Sequence, residues 1–219
     1  MGRILAVSDE ALGQLAQVIE SGGLAVIPTD TVYGIVCDPF SDAAIDALFE
    51  AKHRPRSKSL QVLLPSVAAI DHLGLVLPQP LDRLALAFLP GAFSPICQAH
   101  SDCRLRTLRQ EQTGRTQAVR VPDSPVCRRA LAATGPLAAS SANRSGQPSV
   151  QTAHEAYAQL GDAVDLYLDG GPTPGPTPST VVAAEPGQRS GIRILRQGAI
   201  DAASIYKQLE GQSGQGCAE

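Results

Sequence analysis

Lysine is almost missing from this chain, and aromatic residues are scarce. Only Lys52, Lys58 and Lys207 contribute lysines to its 18 cationic residues; tryptophan is absent and aromatic residues make up 4%. With 43% hydrophobic content, the core has to be built from Ala, Val, Leu and Ile, a composition suited to an α/β sheet covered by helices. Positive charge is also in short supply. A net charge of −3 and a pI of about 5.8 exclude a general nucleic-acid coat or a binder of anionic membranes, so any anion site is local. No apolar run approaches the roughly 18 residues of a membrane span, and the N-terminus lacks the cationic and apolar regions of a signal peptide. The expectation is a soluble, cytoplasmic protein with no membrane partner.

A disulfide framework is missing too. Cys37, Cys97, Cys103, Cys127 and Cys217 are odd in number and irregularly spaced, the pattern of reduced thiols in a cytosolic protein. Cys97, His100 and Cys103 lack a fourth ligand at zinc spacing, so they read as ordinary residues and no bound metal is expected.

At 219 residues the chain fits one large domain. Ser8 reads as an N-cap ahead of the stripe Leu12, Leu15, Val18 and Ile19, and Ser41 caps a second helix with Ile45, Leu48 and Phe49 facing inward. Further helices are predicted over 66–72, 80–89, 124–133 and 152–160. Strands are predicted over 24–27, 60–64, 118–121, 137–139, 164–168, 180–183 and 191–195. Arg104 to Arg115 reads as a loop or hairpin tip. The Gly/Pro-rich stretch from Gly170 to Pro178 reads as a surface loop within one domain. The alternation of strands and helices predicts an α/β domain over 1–206 with a mixed rather than purely parallel sheet, and a disordered tail over 207–219.

Nothing matches the standard nucleotide or hydrolase motifs: no G-x-x-x-x-G-K-[ST], G-x-G-x-x-G, H-E-x-x-H or G-x-S-x-G occurs. Instead, small polar loops recur at strand ends, where ligands bind in open α/β sheets. They are Thr29-Asp30-Thr31, the stretch Lys52 to Lys58, Ser141-Ala142-Asn143 and Ser179-Thr180, joined by Arg120 and Arg196 on strands. Lys52, Arg54, Arg56 and Lys58 lie within seven residues and repel one another unless an anion sits among them. As plain structure, each loop is turn chemistry and the cations offset a helix dipole. As function, hydroxyls and amides grip a polar small molecule while the cations neutralise phosphates.

In order, Pro28-Thr-Asp-Thr-Val-Tyr-Gly34, Lys52-His-Arg-Pro55 with Lys58, Ala118-Val-Arg-Val-Pro122, Ser141-Ala-Asn-Arg-Ser-Gly146, Pro178-Ser-Thr-Val181 and Leu195-Arg-Gln-Gly198 resemble the blocks of the YrdC/TsaC-like threonylcarbamoyl-AMP synthases. The resemblance runs from about residue 10 to 200. It implies a twisted open mixed sheet with flanking helices around a cationic cavity. It also implies that L-threonine, bicarbonate and ATP, with Mg2+, become threonylcarbamoyl-AMP and pyrophosphate. The product would serve tRNA threonylcarbamoyladenosine modification by downstream transferase proteins, with at most weak tRNA contact by this chain. Carried over residue by residue, Thr31, Arg120, Ala139 (through its backbone) and Ser179 would hold threonine. Arg54, Lys58, Ser141, Ser149 and Arg196 would hold ATP, with Lys52 and Asn143 beside its phosphates and Thr116 near the adenosine; Lys52 and Arg54 would be the catalytic pair. The chain departs from the usual family pattern at Ser59, Leu63, Leu89, Ala92 and Pro178.

Three other readings stay open on the sequence. They are a carbamoyl-adenylate-forming enzyme, a nucleotide-binding paralogue without turnover, and an RNA-binding module using the Arg104–Arg115 segment. Low net positive charge and scarce aromatics count against the last.

Overall fold

A computed structural model describes residues 2–210. In chain order the elements are β1 (Arg3–Ala6), α1 (Asp9–Glu20), β2 (Ala25–Ile27), β3 (Gly34–Cys37), α2 (Asp42–Ala51), β4 (Gln61–Leu63), α3 (Ala69–His72), β5 (Leu75–Val76), α4 (Leu81–Phe88), β6 (Phe93–Ala99), β7 (Arg109–Glu111) and β8 (Gly114–Arg120). Then follow α5 (Pro125–Thr134), β9 (Leu137–Ser141), α6 (Ala153–Leu160), β10 (Leu166–Asp169), β11 (Thr180–Ala184), β12 (Ile192–Arg196) and α7 (Ala202–Glu210). The caps expected at Ser8 and Ser41 form, and two further helix starts are capped in the same way. Ser8, Ser41, Ser124 and Thr152 each accept a backbone N–H three residues on, at 3.1–3.2 Å.

The strands form one mixed sheet in the order β1-β10-β2-β3-β9-β4-β8-β6-β11-β12, with β5 beside β6 and β7 beside β8. The pairs β1/β10, β10/β2, β4/β8 and β6/β11 are parallel, and the remaining pairs are antiparallel. The expected open mixed α/β sheet with flanking helices is therefore what forms.

Cross-strand partners share a sheet face, and this divides the helices into layers. On one face, Ile27, Val36, Leu63, Leu137 and Ala139 pack under α1 and α5. On the opposite face, Val26, Ile35 and Ala138 pack against α2 and α6, and farther along Val62, Val119 and Val182 pack against α3, α4 and α7. The first face continues through Ala118, Ile96 and Ala183, past the edge of the α1/α5 layer. There the sheet lies open as a cleft of about 700 Å³.

β1, β3, β5, β6 and α7 carry no clear sequence signal. β6 contains Pro95, which argues against an interior strand, yet it pairs with both β8 and β11. The tail boundary needs correction: α7 runs to Glu210 and packs on α4, with Ile205 buried in the core and Leu209 packed on the same cluster, so 207–210 belong to the domain. The rest of the expected tail, 211–219, lies outside the described residues.

Candidate functional site

The site draws on the C-terminal ends of β2 and β9 and, at the other end of the strands, on those of β8 and β12. β2 ends at Ile27, and Pro28 directs the chain into a turn that Thr29 ties together. The Thr29 hydroxyl donates to Val32 O at 2.7 Å and accepts from Thr31 N at 3.2 Å. This turn presents Asp30 and Thr31 to Arg120, the last residue of β8. The Arg120 guanidinium is 2% exposed and pinned on three sides: Nε to Gly91 O at 3.0 Å, Nη1 to Thr31 Oγ1 at 2.7 Å and Nη2 to Asp30 Oδ1 at 2.7 Å. Five donors in a fixed fork, three of them engaged, leave two N–H groups in a fixed orientation.

Ser179, just before β11, is buried. Arg196 at the end of β12 donates to its carbonyl through Nε and Nη2 (3.1 and 2.9 Å) and to its hydroxyl through Nη2 (3.1 Å). Ser94 of β6 lies 2.8 Å from that hydroxyl and donates to Gln61 Oε1 of β4 at 3.1 Å. The chain after Arg196 passes so close to Ser179 that a Cβ on Gly198 would meet Pro178 O and Ser179 C at 2.3 Å; only glycine fits there.

The cationic loop divides by direction. Lys52 caps α2 and is 1% exposed; its ammonium turns inward and donates to the backbone carbonyls of Ser141, which ends β9, and of Asn143 in the loop that follows. Burial, reinforced by Arg54 and Lys58, pushes its pKa down to about 7. Arg54 Nη2 donates to Ser59 O at 2.7 Å, while its buried Nε has no partner. Burial lowers the Arg54 pKa, and burial followed by Arg120 and then Arg54 lowers that of Arg196, so these guanidiniums share one field. Asn143 donates to Arg144 O and Gln147 O (2.9 and 2.7 Å), leaving its buried Oδ1 unpartnered. Lys58 is exposed. Arg56 turns away, ion-paired with Asp46 and stacked 4.9 Å over Phe49. A buried guanidinium nitrogen and a buried amide oxygen without partners beside repelling cations describe a place prepared for an anionic, hydrogen-bonding ligand.

Thr116 of β8 lies apart from this cluster, in the open cleft, whose floor includes Ile96, Ala118 and Ala183 and whose rim includes Thr107, Arg109 and Glu185. Arg109 in the β7–β8 hairpin reaches Ser57 O at 3.0 Å and Ser59 Oγ at 2.7 Å, so the hairpin is fastened to the cationic loop. Ser149 is half-buried in the loop after Asn143, next to Val150, whose carbonyl accepts from Tyr33 N. Ala139 is inside the sheet, with Val36 and Gln61 as its strand neighbours rather than at a free loop end. Leu63 is buried under α1 and α5.

The family model Sua5_yciO_yrdC, described as "Telomere recombination", matches residues 17–198. The chain belongs to this Sua5/YciO/YrdC family. A Mycobacterium tuberculosis protein provisionally named a threonylcarbamoyl-AMP synthase is 40% identical over 197 residues, spanning 86% of this chain and 89% of its own length. The threonylcarbamoyl-AMP synthase of Stutzerimonas stutzeri is 32% identical over 167 residues, spanning 75% of this chain and 87% of that protein. Among solved structures, P. abyssi Sua5 complexed with L-threonine superposes with a TM-score of 0.83 at 27% identity, over 95% of this chain and 60% of that longer one.

The roles of three residues of this Sua5/YciO/YrdC chain escaped the sequence reading of its site. Asp30 belongs to the Thr29-Asp30-Thr31 loop, and the structure gives it a role that no motif specifies: it holds Arg120. Ser94 and Gln61 become visible only once β4, β6 and β11 lie together. Four cysteines are buried thiols: Cys37, Cys97, Cys103 and Cys127. Desolvation pushes Cys37 and Cys127 up to about 12, and Cys97 upward as well. No described helix is long and apolar enough to cross a membrane.

Proposed function

We propose that this chain is a threonylcarbamoyl-AMP synthase, forming threonylcarbamoyl-AMP and pyrophosphate from L-threonine, bicarbonate and ATP. The observation that carries this reading is the convergence of a buried polar cluster with a cationic loop over the sheet. Thr31, Arg120 and Ser179 form the cluster, and Arg54, Lys58 and Arg196 supply the charge. The names of the relatives support the same reading, as does the threonine in the P. abyssi structure.

The two free N–H groups of Arg120 suit the threonine carboxylate, with Thr31 and Ser179 as further polar partners. The amine, converted to an N-carboxylate by bicarbonate with loss of water, is then directed toward the α-phosphorus of ATP. Its carboxylate oxygen attacks that phosphorus and pyrophosphate departs. Such a displacement needs positioned reactants and neutralised charge more than a protein nucleophile, which accounts for a site without a catalytic triad. Arg54, Lys58 and Arg196 would face the phosphates, Ser141 and the orphan Oδ1 of Asn143 would bond the ribose-phosphate region, and the apolar cleft floor beside Thr116 suits an adenine face. No group of three or more His, Cys, Asp or Glu side chains converges among the described residues, so Mg2+ would enter on the triphosphate and contribute charge neutralisation there. Downstream transferase proteins would use the product on tRNA in the cytoplasm.

The test is pyrophosphate release from ATP and Mg2+. It is expected only when L-threonine and bicarbonate are both present. Release with carbamoyl phosphate and no threonine would favour carbamoyl-adenylate chemistry instead, and ATP binding without turnover would favour the silent paralogue.

A further inference from the structure

We infer that Gln61 and Ser94 are specificity-determining residues: they fix Ser179 as a hydrogen-bond acceptor, and the pocket thereby selects an amino acid whose β-carbon carries a hydroxyl. The inference rests on the threonine-binding reading above. Ser94 is fully buried, and its hydroxyl has two neighbours, Gln61 Oε1 at 3.1 Å and Ser179 Oγ at 2.8 Å. An amide oxygen only accepts, so the single Ser94 proton goes to Gln61. Ser94 can then meet Ser179 only as an acceptor, and the Ser179 proton is directed to Ser94.

The other side of Ser179 is constrained as well. Arg196 Nη2, which can only donate, lies 3.1 Å from Ser179 Oγ and occupies one lone pair. With its proton committed to Ser94 and one lone pair to Arg196, Ser179 offers a ligand one remaining lone pair. It accepts and does not donate. A threonine or serine hydroxyl satisfies it. A methylene at the same place leaves a buried acceptor unpaired, and sites that hydrogen-bond a substrate hydroxyl discriminate strongly against analogues lacking it. The relay joins residues of β4, β6 and β12 to the residue that enters β11, so the polarity is set by the fold.

The comparison is L-threonine against L-2-aminobutyrate, which lacks only the hydroxyl, with pyrophosphate release and calorimetric binding as readouts. The wild type should prefer threonine. In Ser94→Ala the Ser179 hydroxyl loses its acceptor and turns freely, so kcat/KM for threonine should fall about tenfold while 2-aminobutyrate is little changed. Ser94→Thr restores the hydroxyl and should restore the preference. Gln61→Met should behave like Ser94→Ala with an unchanged KM for ATP. An equal loss for both amino acids, or an unchanged preference in both Ser94→Ala and Gln61→Met, would overturn the inference. Binding ratios for the two amino acids decide the matter if turnover is too slow in a variant. A wild type that neither binds nor uses threonine is a different result, which overturns the enzyme reading itself.

Discussion

Lys52 donates from Nζ to the backbone carbonyl of Asn143, joining the cap of α2 to the loop after β9 across 91 residues of sequence. The same ammonium bonds Ser141 O, and Ser145 N returns a bond to Lys52 O at 2.8 Å. Lys52 thus acts as a buckle between the cationic loop and the Ser141–Asn143 loop. Lys52→Met would strand two carbonyl oxygens. The expected cost is about 1–3 kcal/mol of unfolding free energy without ligand, the usual penalty for buried polar groups left unpaired, together with weaker ATP binding. Urea melts with and without ATP check this. An unchanged or higher apo stability would mean that repulsion among the cations outweighs the buckle.

A second prediction concerns pH. The Lys52 pKa is about 7 in the fold against 10.5 ordinarily, so between these values the unfolded chain binds more protons than the folded one. Stability from this residue therefore rises with pH across that window, at a slope of at most about 1.4 kcal/mol per pH unit. The buried thiols Cys37 and Cys127, raised to about 12, oppose it only where ordinary thiols begin to ionise, above about pH 8.5. Urea midpoints should thus climb from about pH 7 to 8.5 in the wild type and not in Lys52→Met. Phosphate groups nearby should return the proton, so ATP binding near pH 8 should take up protons. Calorimetry in buffers of different ionisation enthalpy reads this directly, and uptake equal in Lys52→Met would assign it to another group.

Arg54 and Arg56 separate function from loop charge. Arg54 has a buried, unpartnered Nε and shares the field of Arg196, whereas Arg56 is satisfied outside by Asp46 and Phe49. Arg54→Ala should reduce turnover by about 100-fold or more, the scale for removing a preorganised charge from a reacting centre. Arg56→Ala should keep its turnover and lose no more than about 1 kcal/mol of stability, as exposed ion pairs do. Equal losses in kcat would mean that the loop acts only through its summed charge.

Much of the fold was legible because its signals are local. Side-chain caps announced α1 and α2, and apolar runs announced β2, β4, β9 and β10. What escaped depends on long-range pairing. β6 hides behind Pro95, and α7 shows few apolar residues because Ile205 and Leu209 meet only one side of the domain. The site was legible as a set of polar strand-end loops, but its internal wiring was not. Lys52 reads in sequence as one more phosphate-facing cation, yet it turns inward because its acceptors are backbone carbonyls about 90 residues on, which no motif records. Ser94 and Gln61 look like ordinary strand residues until the sheet brings both to Ser179. The cleft floor, drawn from β6, β8 and β11, exists only through strand order.

The most direct test of the account is mass spectrometry of the nucleotide product after incubation with ATP, Mg2+, L-threonine and carbon-13-labelled bicarbonate. The account predicts one labelled adenylate carrying both the threonine and the labelled carbon, formed in step with pyrophosphate. An adenylate without threonine, or pyrophosphate released with no labelled nucleotide, would contradict it.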